Sequence, residues 1–161
     1  MEIEMTVRLL VPDTTALTAF HTIEKMGIKS VRRLTREDYY KFGCEGDFET
    51  LSSKLGKTDI IVNANKHKYK ARRPGEPMGE GFPGLRTVRV IVYDTDNSDG
   101  GLLPILRDRL GFSGVMSVEK GVLWSLGIES ESREEAEGIA RDVAEGLLSN
   151  KHYQSYNLIG D

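Results

Sequence analysis

The chain opens on an aliphatic run, Ile3–Val11, that reads as a strand. Apolar residues Leu17, Phe20, Ile23 and Met26 then recur near helical spacing, and Asp13 or Thr14 is placed to cap that helix. Two short strands are predicted next, Ser30–Leu34 and Tyr39–Gly43. A second helix is predicted from Asp47 through Phe48, Leu51 and Leu55. Its end carries a conflict, because Thr58-Asp59-Ile60-Ile61-Val62 favours strand by local propensity. A short strand at Lys68–Arg72 closes the run.

The same order then repeats. A strand at Thr87–Tyr93 leads to Asp99-Gly100-Gly101 and a helix through Leu102, Leu103, Leu106 and Leu110, with Pro104 acceptable in its first turn. Two strands follow, Gly114–Glu119 and Val122–Glu129, with Lys120-Gly121 as a hairpin signal between them. Ser132 and Glu135 form a capping box for the last helix, and Ala136, Ile139, Ala140, Val143 and Leu147 make one apolar stripe. A strand at Tyr153–Ile159 closes the second run.

The repetition extends to residue identity. Thr6-Val7-Arg8-Leu9-Leu10-Val11-Pro12-Asp13-Thr14 recurs as Thr87-Val88-Arg89-Val90-Ile91-Val92-Tyr93-Asp94-Thr95, with six of nine positions identical. Met26-Gly27-Ile28 matches Leu110-Gly111-Phe112, Tyr39-Tyr40 matches Leu123-Trp124, and Asn65-Lys66-His67 matches Asn150-Lys151-His152. The offset grows from 81 to 84 to 85, so the second copy holds about four extra residues, three of them near Asn97–Asp99. Duplicated units share a packing surface, so the repeat predicts helix through Thr58–Val62 to about Asn65.

Between the copies, seven of the sixteen residues from Ala71 to Arg86 are Pro or Gly, which excludes a continuous helix or strand there. With no Gly-Lys-Ser/Thr ending, the stretch reads as a linker and not as a phosphate loop. The expected organisation is a first repeat at 1–72, a linker at 73–85 and a second repeat at 86–161. Each repeat is an α+β unit of order β-α-β-β-α with a closing strand, with helices on one face of an antiparallel sheet. Such a unit leaves its second sheet face or an edge open, and two copies in one chain can cover each other as an internal two-fold pair.

Composition narrows the class. The chain has 161 residues, 39% apolar and 29% charged, with a mean hydropathy of −0.37, and no apolar run long enough to span a membrane. Its start, Met1-Glu2-Ile3-Glu4-Met5, lacks the basic and apolar regions of a signal peptide. The single cysteine, Cys44, has no internal disulfide partner. A soluble cytoplasmic protein is expected. Net charge is −3, split as +2 over residues 1–80 and −5 over 81–161, so nucleic acid is not an expected partner.

Little in the chain is equipped for catalysis. There is no Gly-x-Ser-x-Gly, His-Glu-x-x-His or Walker motif. His21 lies off the apolar stripe of its helix and reads as a surface residue. His67 and His152 are flanked by Lys66, Lys68, Lys151 and Tyr153, which do not complete a metal site. Asn-Lys-His instead reads as a helix end, with Asn as the cap and the basic residues favoured by the helix dipole. Glu134, Glu135, Glu137 and Glu145 fall on the solvated face of the last helix, and Cys44 reads as a small packing residue. No metal or cofactor is expected on this chain. The one cluster that stands out is Lys66, Lys68, Lys70, Arg72 and Arg73 along an expected edge strand, which can meet phosphates or an acidic partner, or simply keep the edge from aggregating.

The second copy resembles the PurS family, the small subunit of phosphoribosylformylglycinamidine synthase. The matching residues run in order: Asp99-Gly100, Leu110-Gly111-Phe112 with Val115, Lys120-Gly121, Glu135-Ala136, and Leu147-Leu148-Ser149-Asn150 before Tyr153. The likeness covers nearly all of 87–159 and extends to 3–72, where the Asp-x-x-Gly start and the Lys-Gly turn are missing. It implies a tandem, ferredoxin-like arrangement resembling a fused PurS dimer. It also implies a non-catalytic subunit bridging an ATP-using synthetase and a glutaminase in de novo purine synthesis, with ATP, Mg and glutamine used by those partners. A monomer or homodimer of such chains is expected. A different class fits the same element order, the tandem amino-acid-binding regulatory domain of the ACT type. There Asp13-Thr14-Thr15 and Asp94-Thr95-Asp96-Asn97 are placed to bond a ligand.

Overall fold

The computed structural model of the chain describes residues 1–96 and 99–160. Asn97, and with it part of the insertion expected near 97–99, lies outside the described residues. The elements run β1 (Glu2–Leu9), α1 (Thr14–Lys25), β2 (Val31–Cys44), α2 (Phe48–Gly56), β3 (His67–Arg72), β4 (Arg86–Asp94), α3 (Leu102–Pro104, continuing as a π turn over Ile105–Arg109), β5 (Val115–Ile128), α4 (Arg133–Val143, continuing as a π turn over Ala144–Leu148) and β6 (Gln154–Gly160). The fold is α+β. β1 pairs antiparallel with both β2 and β3, and β4 pairs antiparallel with β6.

The expected pairs of short strands are replaced in both copies by one strand of 14 residues. No hairpin forms at Lys120-Gly121, where β5 runs straight through. The reason lies in how the chain is distributed. It forms two compact units: the first holds Met1–Val11, Glu37–Met78 and Asp96–Gly121, the second Pro12–Arg36, Gly79–Thr95 and Val122–Asp161. The divide cuts β2 after Arg36 and β5 after Gly121. A Lys-Gly pair closes a hairpin only if the flanking segments pair with each other, and here they pair elsewhere. Glu45 N–H donates to Gly114 O at 2.8 Å in unit 1, and Glu129 N–H to Ser30 O at 2.8 Å in unit 2. Unit 1 has the strand order β3-β1-β2-β5 and unit 2 the order β2-β5-β4-β6, each using only its own halves of β2 and β5.

Each unit has its own core, on one face of its strands. In unit 1, Ile3, Met5 and Val7 of β1 and Tyr40, Phe42 and Cys44 of β2 pack with Phe48 and Leu55 of α2 and with Leu102 and Leu106 of the α3 segment. In unit 2, Val88, Val90 and Val92 of β4 and Trp124, Leu126 and Ile128 of β5 pack with Ala16 and Ile23 of α1 and with Ala136, Ala140 and Val143 of α4. The first helix of each sequence copy therefore completes the core of the unit that contains the opposite copy's first strand. Within α1 the buried residues are Ala16 and Ile23, whereas Leu17 is 53% and Met26 43% exposed, so the stripe starts one position earlier than Leu17. Two caps are as expected, Asp13 accepting from Thr15 and Ala16 N–H and Ser132 from Glu135 N–H, while Asp47, expected as the first residue of its helix, caps it by accepting from Thr50 N–H.

Helix does not run through Thr58–Val62. Helix α2 ends at Gly56, and residues 57–66 hold turns and irregular chain but no helix. The Thr58 hydroxyl donates to Lys54 O, while Ile61 and Val62 N–H both donate to Thr58 O. That single turn buries Ile61 and Val62 in the unit 1 core, a placement that suits β-branched side chains better than a helix interior. The Asn-Lys-His match is likewise out of step. Asn63 N–H donates to His67 Nδ1 and Asn150 N–H to Gln154 Oε1, so His67 corresponds to Gln154 and not to His152. Leu10 N–H donates to Lys66 O and Thr95 N–H to Tyr153 O, which makes Leu10 the spatial counterpart of Thr95, where the sequence match sets Thr14. Both strands are aliphatic with a two-residue period, so a slip of four keeps every inward residue inward.

Residues 73–85 hold no helix or strand, yet they are packed. In unit 2 the face of the sheet away from the helices carries Thr87, Arg89, Ile91, Leu123 and Ser125, all buried. The Arg89 guanidinium donates to Glu80 O at 3.1 Å and Gly79 O at 3.4 Å, and Phe82 N–H donates to the Thr87 hydroxyl at 2.8 Å. A Cβ on Gly127 would come within 2.8 Å of the Phe82 ring and 2.9 Å of Leu85, so a glycine is what lets this segment lie flat on the strand.

Because 1–78 lacks Leu102, Leu106, Val115 and Val118 of the unit 1 core, that fragment alone is predicted not to be a folded monomer by circular dichroism and light scattering. Adding 79–161 restores the signal. In the full chain Leu106→Ala lowers the free energy of unfolding by about 2–5 kcal/mol, measured in denaturant.

Candidate functional site

Strand β3 lies at the end of the strand order and is an edge. Its alternation sends Lys68, Lys70 and Arg72 to one face and His67, Tyr69 and Ala71 to the other. The second set faces the helices. Ala71 packs on the unit 1 core, and the Tyr69 ring lies so close to Gly56 that a Cβ there would sit 2.1 Å from Cζ. A side chain at Gly56 would lift the edge strand from α2.

The five basic residues singled out by the sequence divide into two groups. Arg72 is internal: its guanidinium pairs with Glu4 and donates to Glu76 O. Glu4 is 8% exposed, on the open face of β1, and its other oxygen accepts from the Tyr39 hydroxyl at 3.0 Å. Tyr39, Glu4 and Arg72 thus form a buried polar chain across β2, β1 and β3. Arg73 is also engaged. Its guanidinium lies 4.1 Å from the Phe48 ring centroid and pairs with Glu49 at 4.0 Å and Glu76 at 3.8 Å. Lys66, Lys68 and Lys70 are exposed, and none has an ionic partner among the described residues. Arg8, directly across β1 from Lys68, is exposed in the same way. Sequence reasoning missed Arg8 and Glu4, which sit on adjacent strands far from the cluster along the chain.

The remaining candidates are placed as follows. His21 is exposed, with its ring 6.4 Å from that of Phe20. His67 accepts a backbone hydrogen bond, and His152 is exposed beside Tyr153. Cys44 is buried, and burial pushes its thiol pKa up against the opposing pull of the N-terminal ammonium. The Asp47 carboxyl is held below the usual range by the Thr50 N–H and hydroxyl that it accepts from. Hydrogen bonding to Glu145 at 2.6 Å raises the Tyr156 phenol. Among the described residues, no three His, Cys, Asp or Glu side chains gather to hold a metal ion, and no helix is long and apolar enough to cross a membrane.

Among the described residues, unit 2 carries two of the open hollows. One of about 410 Å³ is lined by Thr14, Thr15, Thr18 and Thr22 of α1 over Trp124 and Leu148. The other, of about 830 Å³, is bordered by Glu145, Asn150, Lys151, His152 and Tyr156. Of the residues expected to bond an amino acid, Thr14 and Thr15 reach the first hollow. Asp13 is taken up by the α1 cap and by Arg36 at 3.0 Å, Asp94 accepts from Gln154, and Thr95 donates to Tyr153 O.

Compared with protein-family models and with curated protein sequences, the chain matches none.

Breaking the buried pair is predicted to be expensive. Arg72→Met strands the Glu4 carboxylate and lowers stability by about 3 kcal/mol, while the double variant with Glu4→Gln recovers most of the loss in a denaturant titration. A second expectation concerns alkaline pH. Burial, reinforced by Asp38, raises the Tyr40 phenol to about 12. The unfolded phenol ionises near 10, so the stability held below pH 10 is lost as pH rises from 10 towards 12. Tyr40→Phe flattens that limb of the stability curve.

Proposed function

We propose that this chain is a non-catalytic assembly subunit of phosphoribosylformylglycinamidine synthase, a tandem PurS-like protein holding the ATP-dependent synthetase and the glutaminase together in the cytoplasm. ATP, Mg and glutamine belong to those partners. One observation carries the reading: each core draws its helices from both sequence copies. Two copies that cannot complete a core singly behave as the fused form of an obligate pair, which is how the family resemblance reads. The exposed lysines of β3 supply a surface for a partner, with no catalytic group needed on this chain.

A second reading, the amino-acid sensor, draws on the threonine-lined hollow, where hydroxyls sit over an apolar floor. Affinity capture from the native cell extract separates the two. Recovery of a synthetase and a glutaminase, with glutamine-dependent amidation in the captured fraction, is the expected result. An empty capture in the presence of ATP and glutamine, together with a melting temperature that climbs with the concentration of a free amino acid, overturns it in favour of the sensor.

A further inference from the structure

The edge strands of the two units differ in a way that packing does not require. In unit 1 the edge is β3, with Lys66 just before it and Lys68 and Lys70 within it; in unit 2 it is β6, Gln154–Gly160, with no charged residue. Lysines on an edge commonly serve to keep strands from aggregating. If that were their whole role here, the equivalent edge would need them equally, and β6 has none. The charge on β3 is also locally uncompensated. The two carboxylates of β1 and two beside the end of β3 are already committed: Glu4 to Arg72, Glu2 to Lys41, and Glu49 and Glu76 to Arg73. Arg8, Lys66, Lys68 and Lys70 are left as four positive charges on or beside one edge.

The backbone is positioned to match. Leu10 N–H donates to Lys66 O, and antiparallel bonding alternates, so the main-chain groups of Lys68 and Lys70 turn to β1 while those of Tyr69 and Ala71 turn outward. His67 N–H is already used by Asn63 O. The outward N–H and C=O groups of Tyr69 and Ala71 are flanked by lysine side chains on one face and by the Tyr69 ring, braced on Gly56, on the other.

We propose that the outer edge of β3 accepts an extended acidic segment of another protein as an added antiparallel strand. The main chain of Tyr69 and Ala71 supplies the ladder and Lys68 and Lys70, with Lys66 and Arg8 nearby, pair with the incoming carboxylates. The mode of docking stands independently of which complex the protein serves.

The test is fluorescence anisotropy of the intact chain with a labelled seven-residue peptide alternating glutamate and valine. The same peptide with a central proline keeps the charge but breaks the ladder. Binding of the first peptide, weakened by salt, and loss of binding by the second are expected. The triple variant Lys66→Gln, Lys68→Gln, Lys70→Gln weakens binding at least about tenfold, and the control triple Lys25→Gln, Lys29→Gln, Lys57→Gln changes it less than about twofold. Amide exchange at Tyr69 and Ala71 slows when the peptide is bound. The proposal is overturned if the two peptides bind equally, if neither binds, if the control triple loses as much as the edge triple, or if an RNA oligonucleotide binds more tightly than the alternating peptide.

Discussion

Ile23 and Leu106 are both fully buried, and each fills a core whose opening strand comes from the other half of the sequence. That exchange of helices sets the terms for the rest of the fold. A first helix belongs to the core of one unit and its preceding strand to the other only if the strand after it starts in the first unit and ends in the second. β2 and β5 do this, each with 14 residues, or about 46 Å of extended chain, where strands of five or six residues are usual. A turn at residues 36–38 or 120–122 would fold each strand back on itself and leave both cores a helix short.

The elements that were legible in the sequence are those whose signals are local. Asp13 and Ser132 cap their helices because a side-chain oxygen needs only the next turn of its own helix. The α4 stripe of Ala136, Ala140 and Val143 is legible for the same reason. The signals that misled were local ones overruled by distant partners. Lys120-Gly121 is a sound turn dipeptide, but Gly121 ends one unit's half of β5 and Val122 begins the other's, and no local pattern records that. Repeat logic failed at Thr58–Val62 because the copies bury that stretch differently: one ends its helix at Gly56 and folds a β-branched turn into the core, the other extends through a π turn.

The candidate site shows the same division. Alternation and the lysine run marked residues 68–72 as an edge strand, and alternation is a property of neighbouring residues. The fate of Arg72 and Arg73 was hidden, because their partners Glu4, Phe48, Glu49 and Glu76 are chosen by strand register and helix placement. Glu4 in particular sits between Ile3 and Met5, where a polar residue on the non-core face ordinarily meets water. Only the register of β1 against β3 brings Arg72 opposite it and makes a buried carboxylate tolerable.

Two outer edge strands encoded in one chain have a freedom that a pair of identical subunits does not share. In a symmetric pair every edge strand occurs twice with the same side chains, so a charge placed on one edge is placed on both. Here the two edges have separate codons and differ: β3 holds its lysines, while β6 presents Ser155, Tyr156 and Asn157. The cores resist such drift, since each is built from both halves of the sequence and a residue from one half must fit side chains from the other. The outer edges are freer, because each pairs with one strand only, β1 or β4, and its other side meets no strand of its own unit. Shared cores with independent edges let one fold keep its architecture fixed while presenting two different strands to its surroundings.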